Sequence, residues 1–333
     1  MLSRVADSLY WTTRYLERAE HTARLIDINM GLMLDRSRVS AERRWQRVLS
    51  AVGAAQGLGW NEDAAGMAGE PGRWVGVTAL VHALCFDTTK HASITACIFG
   101  ARENARQIRD EISTEQWQRL NGLFHEISRL RTATPSERNL AEFLPMIIDG
   151  VHLFQGVTDT TLSHGEGWQV LRVGRYLERA WSITTLLDVY EREVFLGQDT
   201  ADDAGEYLEW VGLLRICTAF EAFCRVHTSD LSHERILEFL LLDPDFPHSV
   251  RYAVDALHNA LEAIQQHTRT QHGGELMRVA GRLKSTLAFA QIGEILSQEP
   301  VRYLRRILEQ CREIHDLVYT VYIQYSVETA LAV

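Results

Sequence analysis

The chain has 333 residues, with 34 basic side chains against 44 acidic ones and a formal charge of −10. An apolar share of 46% beside 23% charged residues specifies a folded globular chain rather than a disordered one. The acidic balance argues against a general nucleic-acid or anionic-membrane binder, because either needs net cationic surface. Only six prolines occur, and proline is excluded from helix interiors by its ring and missing N–H, so long helices are permitted.

The first element is a long helix over residues 1–34. Leu2, Val5, Leu9, Thr12, Leu16, Ala19, Ala23, Ile26, Met30 and Met33 recur at alternating steps of three and four, one stripe of a helix. Trp11, Leu25 and Leu32 form a second seam, so this helix is expected to be packed on two sides and central to a bundle. Similar patterns predict helices over 93–112, 115–131, 137–163, 168–195, 205–227, 248–267, 275–297 and 301–327. Loops are expected at the Gly-rich 57–73, at 132–137, at the acidic 197–206 and at LLDPDFPHS, 241–249. No run of strict alternation suggests a sheet, and the expected class is all-α, a multi-helix bundle.

Five cysteines stand at 85, 97, 217, 224 and 311, without a C-x-x-C pair. Neither a disulfide framework nor a zinc ribbon is indicated, and Cys217 and Cys224 read as buried thiols. The N-terminus lacks a signal-peptide core and no stretch approaches 18 apolar residues, so a soluble cytoplasmic chain is expected, with no membrane partner.

One hexapeptide occurs twice: RYLERA at 14–19 and again at 175–180, an offset of 161. Leu25 matches Leu186 and Asp27 matches Asp188 at the same offset. Asp87 and Ser93 match Asp243 and Ser249 at 156. These correspondences predict one domain built from two similar halves, 1–164 and 165–333, sharing one core.

Two constellations could carry chemistry. The Glu-Arg pairs Glu17/Arg18 and Glu178/Arg179 read as buried ion pairs that fix helix register, because an unpaired buried charge is very costly. On 93–112, Arg102, Arg106 and Arg109 line one ridge at i, i+4 and i+7, beside Glu103 and Asn104. Such a ridge is a candidate anion site, since guanidinium forks grip carboxylate or phosphate bidentately. The corresponding second-half helix has His258 and Asn259 in place of Arg102 and Glu103, so the ridge is not demanded by the repeat. A di-iron bundle would carry Glu-x-x-His motifs and none occurs, so no metal and no cofactor are expected. Ser93 and Ser249 read as helix N-caps rather than nucleophiles.

The segments LSRVADSLYWTTRYLERAEHTARLID, SITACIFGARENARQIRDEIS and LRVGRYLERAWSITTLLDV, followed by EFLLLDPDFPHSV and GRLKSTLAF, resemble in order the bacterial alpha-E domain family. The chain departs from that pattern at DTTKHAS, 87–93, where relatives usually carry prolines. The resemblance implies an α-helical domain without an established activity. It also implies a genomic association with a circularly permuted ATP-grasp protein and often a transglutaminase-like protease. On this footing the expected role is a non-catalytic accessory of a peptide- or amide-forming system. The alternative is an enzyme acting on a carboxylate or amide substrate through Glu17, Glu103 and an arginine-lined pocket.

Overall fold

The computed structural model describes residues 1–33, 41–56, 73–90, 92–131, 137–195, 203–228, 230–268 and 273–324. Among the described residues the chain forms fourteen α-helices, two short π-turns and no strand. The all-α bundle expected from the periodicity is the observed fold.

Two helices make its centre: α1 (Ser3–Leu32) and α7 (Glu166–Tyr190). On α7 every residue from Tyr176 to Tyr190 is buried, so the helix is covered on all sides. On α1, Leu9, Leu16 and Ala23 of one seam and Leu25 and Leu32 of the other are buried, while Trp11 is half-buried and Leu2 exposed. The remaining helices wrap this pair. α1 packs on α4 (Ile94–Gln107) and α6 (Glu137–Thr161), with α5 (Thr114–Arg131) against both of these. In the same order, α7 packs on α11 (Val250–Thr268) and α14 (Pro300–Val318), with α12 (Gly274–Ala288) against both. α2 (Ala41–Gln56) packs on α7, and α8 (Asp203–Ile216) packs on α1. α3 (Arg73–Phe86) joins α4, and α10 (His233–Leu242) joins α11.

Contacts along the central pair advance together: Leu9 meets Gly167, Thr13 meets Leu171 and Gly174, and Glu17 meets Arg179. The two helices therefore run parallel. They approach most closely at Gly174, where an added Cβ would lie 2.3 Å from the Tyr10 carbonyl oxygen and 2.4 Å from Thr13 Oγ1. Only a residue without a side chain fits this crossing. Thr13 Oγ1 donates across it to the Leu171 carbonyl at 2.8 Å.

Several boundaries differ from the sequence expectation. The helix expected over 205–227 is two, α8 and α9 (Phe220–His227). The break falls at Thr218, which takes φ 54 while the Ala219 N–H reaches back to the Leu214 carbonyl at 2.7 Å. That helix stop normally uses glycine, so the sequence carries no signal for it. The helix expected over 275–297 likewise splits into α12 and α13 (Ile292–Ser297), and the last one ends at Val318 in a π-turn, Tyr319–Ile323. The acidic segment 197–206 is helical from Asp203 onward; its earlier residues, and the expected loops over 57–72 and 132–136, lie outside the described residues. Pro145 stands inside α6, which continues because Phe143, Leu144, Ile147 and Val151 are buried beside it.

Leu140–Thr161 is long and apolar enough to cross a membrane by length and composition, although Glu142 and Asp149 interrupt it. Its inward face is part of the helical core. No disulfide joins the cysteines; Cys217 is buried as expected, whereas Cys224 is half-buried. Both serines cap helices: Ser93 Oγ accepts from the Ala96 N–H at 3.1 Å, and Ser249 Oγ from the Tyr252 N–H at 3.0 Å.

Candidate functional site

Residues adjacent in a helix point about 100° apart and do not face one another. Glu17 and Arg18 are such neighbours, so these two do not pair with each other within the helix. The parallel register of α1 and α7 offers the alternative, and the structure takes it: each copy's carboxylate is held by the other copy's arginines.

Arg14 Nε donates to Glu178 Oε2 at 2.6 Å, and Arg18 donates to both Glu178 oxygens, at 2.7 and 3.2 Å. In return, Arg179 donates to both oxygens of Glu17, and Arg175 Nε stands 3.9 Å from Glu17 Oε2. Arg14 and Arg18 correspond to Arg175 and Arg179 at the repeat offset. The exchange is therefore reciprocal: two arginines of one copy on one carboxylate of the other. Glu17, Arg18, Glu178 and Arg179 are all engaged in buried ion pairs, and these cross between the helices.

The two centres sit in different surroundings. Glu178 is 1% exposed. Burial pushes its carboxyl up, but the Arg14 and Arg18 guanidiniums outweigh it and hold the group down to about 2. Arg14 is in turn bonded to the Tyr10 hydroxyl at 3.0 Å and lies 3.0 Å from His315 Nδ1. Tyr10 and His315 are themselves 2.7 Å apart, and burial pushes Tyr10 up to about 12 and His315 down to about 4. Trp11 and Trp181 face the Arg14 guanidinium at 5.2 and 5.9 Å. This side is lined by aromatic rings, with Trp11 and His315 half-buried and Trp181 Nε1 buried without a hydrogen-bond partner.

Beside Glu17 the packing is incomplete. Gln155 Nε2 donates to Glu17 Oε2 at 3.3 Å, and Arg179 also donates to the Pro247 carbonyl at 3.1 Å. A cavity of about 10 Å³ adjoins them, lined by Glu17, Glu20, His21, Arg24, Arg179, Ser182 and His248 among others. That is room for about one water. Glu20 Oε1 is bonded to His152 at 2.9 Å and Arg24 at 3.0 Å, while Glu20 Oε2 and His21 Nε2 are buried without a hydrogen-bond partner. Burial raises the Glu20 carboxyl, but His152, His248, Arg179 and Arg24 outweigh it and bring it well below the usual range. Burial pushes His21 down to about 4, and His248 well below its ordinary value. Among the described residues no three His, Cys, Asp or Glu side chains are grouped to hold a metal ion.

A third buried clamp was not read from the sequence. Arg44 and Arg47 of α2 grip Glu209 of α8 at 2.7 and 2.6 Å. Its only sequence signal was a pair of arginines three apart in a short amphipathic stretch.

The arginine ridge is not one continuous helical face. α4 ends at Gln107, so Arg109 lies beyond it rather than on the same ridge. Arg106 closes bidentately on Glu103 at the exposed surface, with contacts of 2.6 to 3.1 Å. Arg102 donates to Asn121 at 3.2 Å and stacks 4.6 Å from the Phe124 ring; Arg102 and Arg109 also lie 5.3 and 4.8 Å from Trp117. Asn104 is half-buried. None of these residues lines the cavity beside Glu17.

A family described as a predicted alpha-helical domain with a conserved ER motif, Alpha-E, matches residues 1–323. The chain belongs to the Alpha-E family. Relatives include an uncharacterised protein of Mycobacterium bovis and uncharacterised proteins of two Mycobacterium tuberculosis strains, each 24% identical over 275 residues. The match covers 78% of this chain and 30% of each relative, so the chain spans less than a third of their length. No solved structure matches it. Both Glu-Arg dipeptides of this chain, Glu17-Arg18 and Glu178-Arg179, take part in the crossed clamp between α1 and α7.

Proposed function

We propose that this Alpha-E chain is a non-catalytic accessory or interaction protein of a bacterial peptide- or amide-forming system, working in the cytoplasm. Its partners on this reading are a circularly permuted ATP-grasp ligase and a transglutaminase-like protease, as the family resemblance implies. We further read it as a single domain of two similar halves, which the matching packing order around α1 and α7 supports.

The observation that carries the accessory reading is the crossed clamp. A general acid or base needs a pKa near the working pH and a free oxygen facing substrate. Glu178 has both oxygens occupied and a carboxyl held at about 2. The motif therefore spends its charge on joining helices. The relatives add a second support. Most of each one lies outside the matched region, so the matched segment there shares its polypeptide with a further segment.

The test is a pull-down of the ATP-grasp protein with the tagged chain, followed by ligation assays with and without it. Co-purification and a changed yield or product length are expected. A ligase that neither binds the chain nor responds to it sinks the reading.

A further inference from the structure

Away from the Glu-Arg centre, α12, α13 and α14 enclose an open groove of about 560 Å³. That volume falls within the roughly 300–1,000 Å³ of small-molecule sites. Phe289, which caps the C-terminus of α12, borders it with 85% of its surface exposed. Arg302 and Arg306 line the groove one turn apart on α14. Among the described residues neither guanidinium has an ion-pair or hydrogen-bond partner. Between them stands Tyr303, whose Oη is buried without any hydrogen-bond partner.

The opposite charge is supplied by Glu294 and Glu299, which also line the groove. Glu299 adopts φ 62 and ψ 90 at the α13–α14 corner. An L-residue in the left-handed region is strained, and such residues cluster where a site requires them. The groove thus combines two uncommitted guanidiniums, two carboxylates and an exposed aromatic ring. Guanidinium forks match a carboxylate, glutamates match an ammonium, and the ring offers apolar contact.

We propose that this groove binds a short peptide with free termini. Its C-terminal carboxylate sits on Arg302 and Arg306, its ammonium faces Glu294 and Glu299, and an apolar side chain packs on Phe289. This deepens the accessory reading and rests on it only for the origin of the peptide.

The test is calorimetric titration of the full chain, alone, with glycyl-phenylalanine, its C-terminal amide and its N-acetyl form. Free dipeptide is expected to bind saturably, and loss of either terminal charge to weaken it by about tenfold. R302A/R306A should abolish binding without changing the thermal melt, since both side chains are exposed. R302K/R306K should give an intermediate affinity, because charge is kept and the fork is lost. R106A, at a remote exposed pair, is the control. No binding of the dipeptide, equal binding of all three peptides, or unaltered affinity in R302A/R306A would overturn the proposal. The ligase is absent from this titration, so its failure leaves the pull-down standing, and a failed pull-down leaves the groove standing.

Discussion

RYLERA stands twice in this chain and ends in two unlike environments. Around Glu178, Arg14 and Arg18 saturate the carboxylate, Tyr10 and His315 occupy the far side of Arg14, and aromatic rings line that side. Around Glu17, Arg179 provides the grip, Arg175 stands off at 3.9 Å, and two buried polar atoms face a cavity of one-water size unbonded. The difference lies in the neighbours and not in the motif. At the repeat offset, Glu20, His21 and Arg24 correspond to Trp181, Ser182 and Thr185. A bulky aromatic stands on the Glu178 side where an acid stands on the other. One motif can therefore be wholly architectural in one copy while the other keeps room for a water.

The largest expected effect breaks the comparison at the carboxylates. E178Q leaves two buried guanidiniums without a counter-charge, and removing one partner of a buried pair costs about 3–5 kcal/mol. E17Q should cost less, about 1–3 kcal/mol, because Arg179 keeps the Pro247 carbonyl and has Glu20 nearby. Urea unfolding midpoints of the two variants measure this ranking. Equal losses would show that the two sides hold the helices equally.

A smaller effect asks whether the helices' closeness or their charges set the register. G174A places a methyl 2.3 Å from the Tyr10 carbonyl, and overpacking of this kind costs about 1–3 kcal/mol. G122A, in α5 with nothing within 4 Å, should instead stabilise by up to about 1 kcal/mol through helix propensity. A neutral G174A in the same denaturation assay would mean that the clamps alone fix the spacing of α1 and α7.

The central pair was legible because periodicity and an exact hexapeptide repeat are local signals. What the hexapeptide did was not. Glu17 and Arg18 are helical neighbours that do not pair with each other, and only the parallel register reveals the crossed partner. α8 and α9 were merged because the stop between them uses Thr218 rather than glycine. α10 was missed because it is ten residues of nearly uniform apolar character, HERILEFLLL, too short to show a period. The i, i+4, i+7 line of the arginine ridge was misjudged because α4 stops two residues short of Arg109. The α12–α14 groove had no signature at all, since Phe289, Glu299 and Arg306 lie on different elements.

The smallest effect separates the two sides by pH. His315 belongs to the aromatic side and His21 to the cavity beside Glu17, and burial pushes each from an ordinary 6.5 down to about 4. The unfolded chain takes up these protons near 6.5, whereas the folded chain takes them up only near 4. Between those values the unfolded state binds more protons, so stability falls as the pH drops from 6.5 to 4 and is flat with respect to these groups above 6.5. H21L and H315N should each flatten part of that slope in melts recorded across this range. They should differ at neutral pH. H21L removes a ring nitrogen that has no partner and should leave stability near wild type. H315N disrupts the Tyr10–Arg14 contacts and should lower it. A His21 variant that loses as much at pH 7 as the His315 variant would mean that the cavity beside Glu17 holds a bonded water, and that both copies of the motif are fully satisfied.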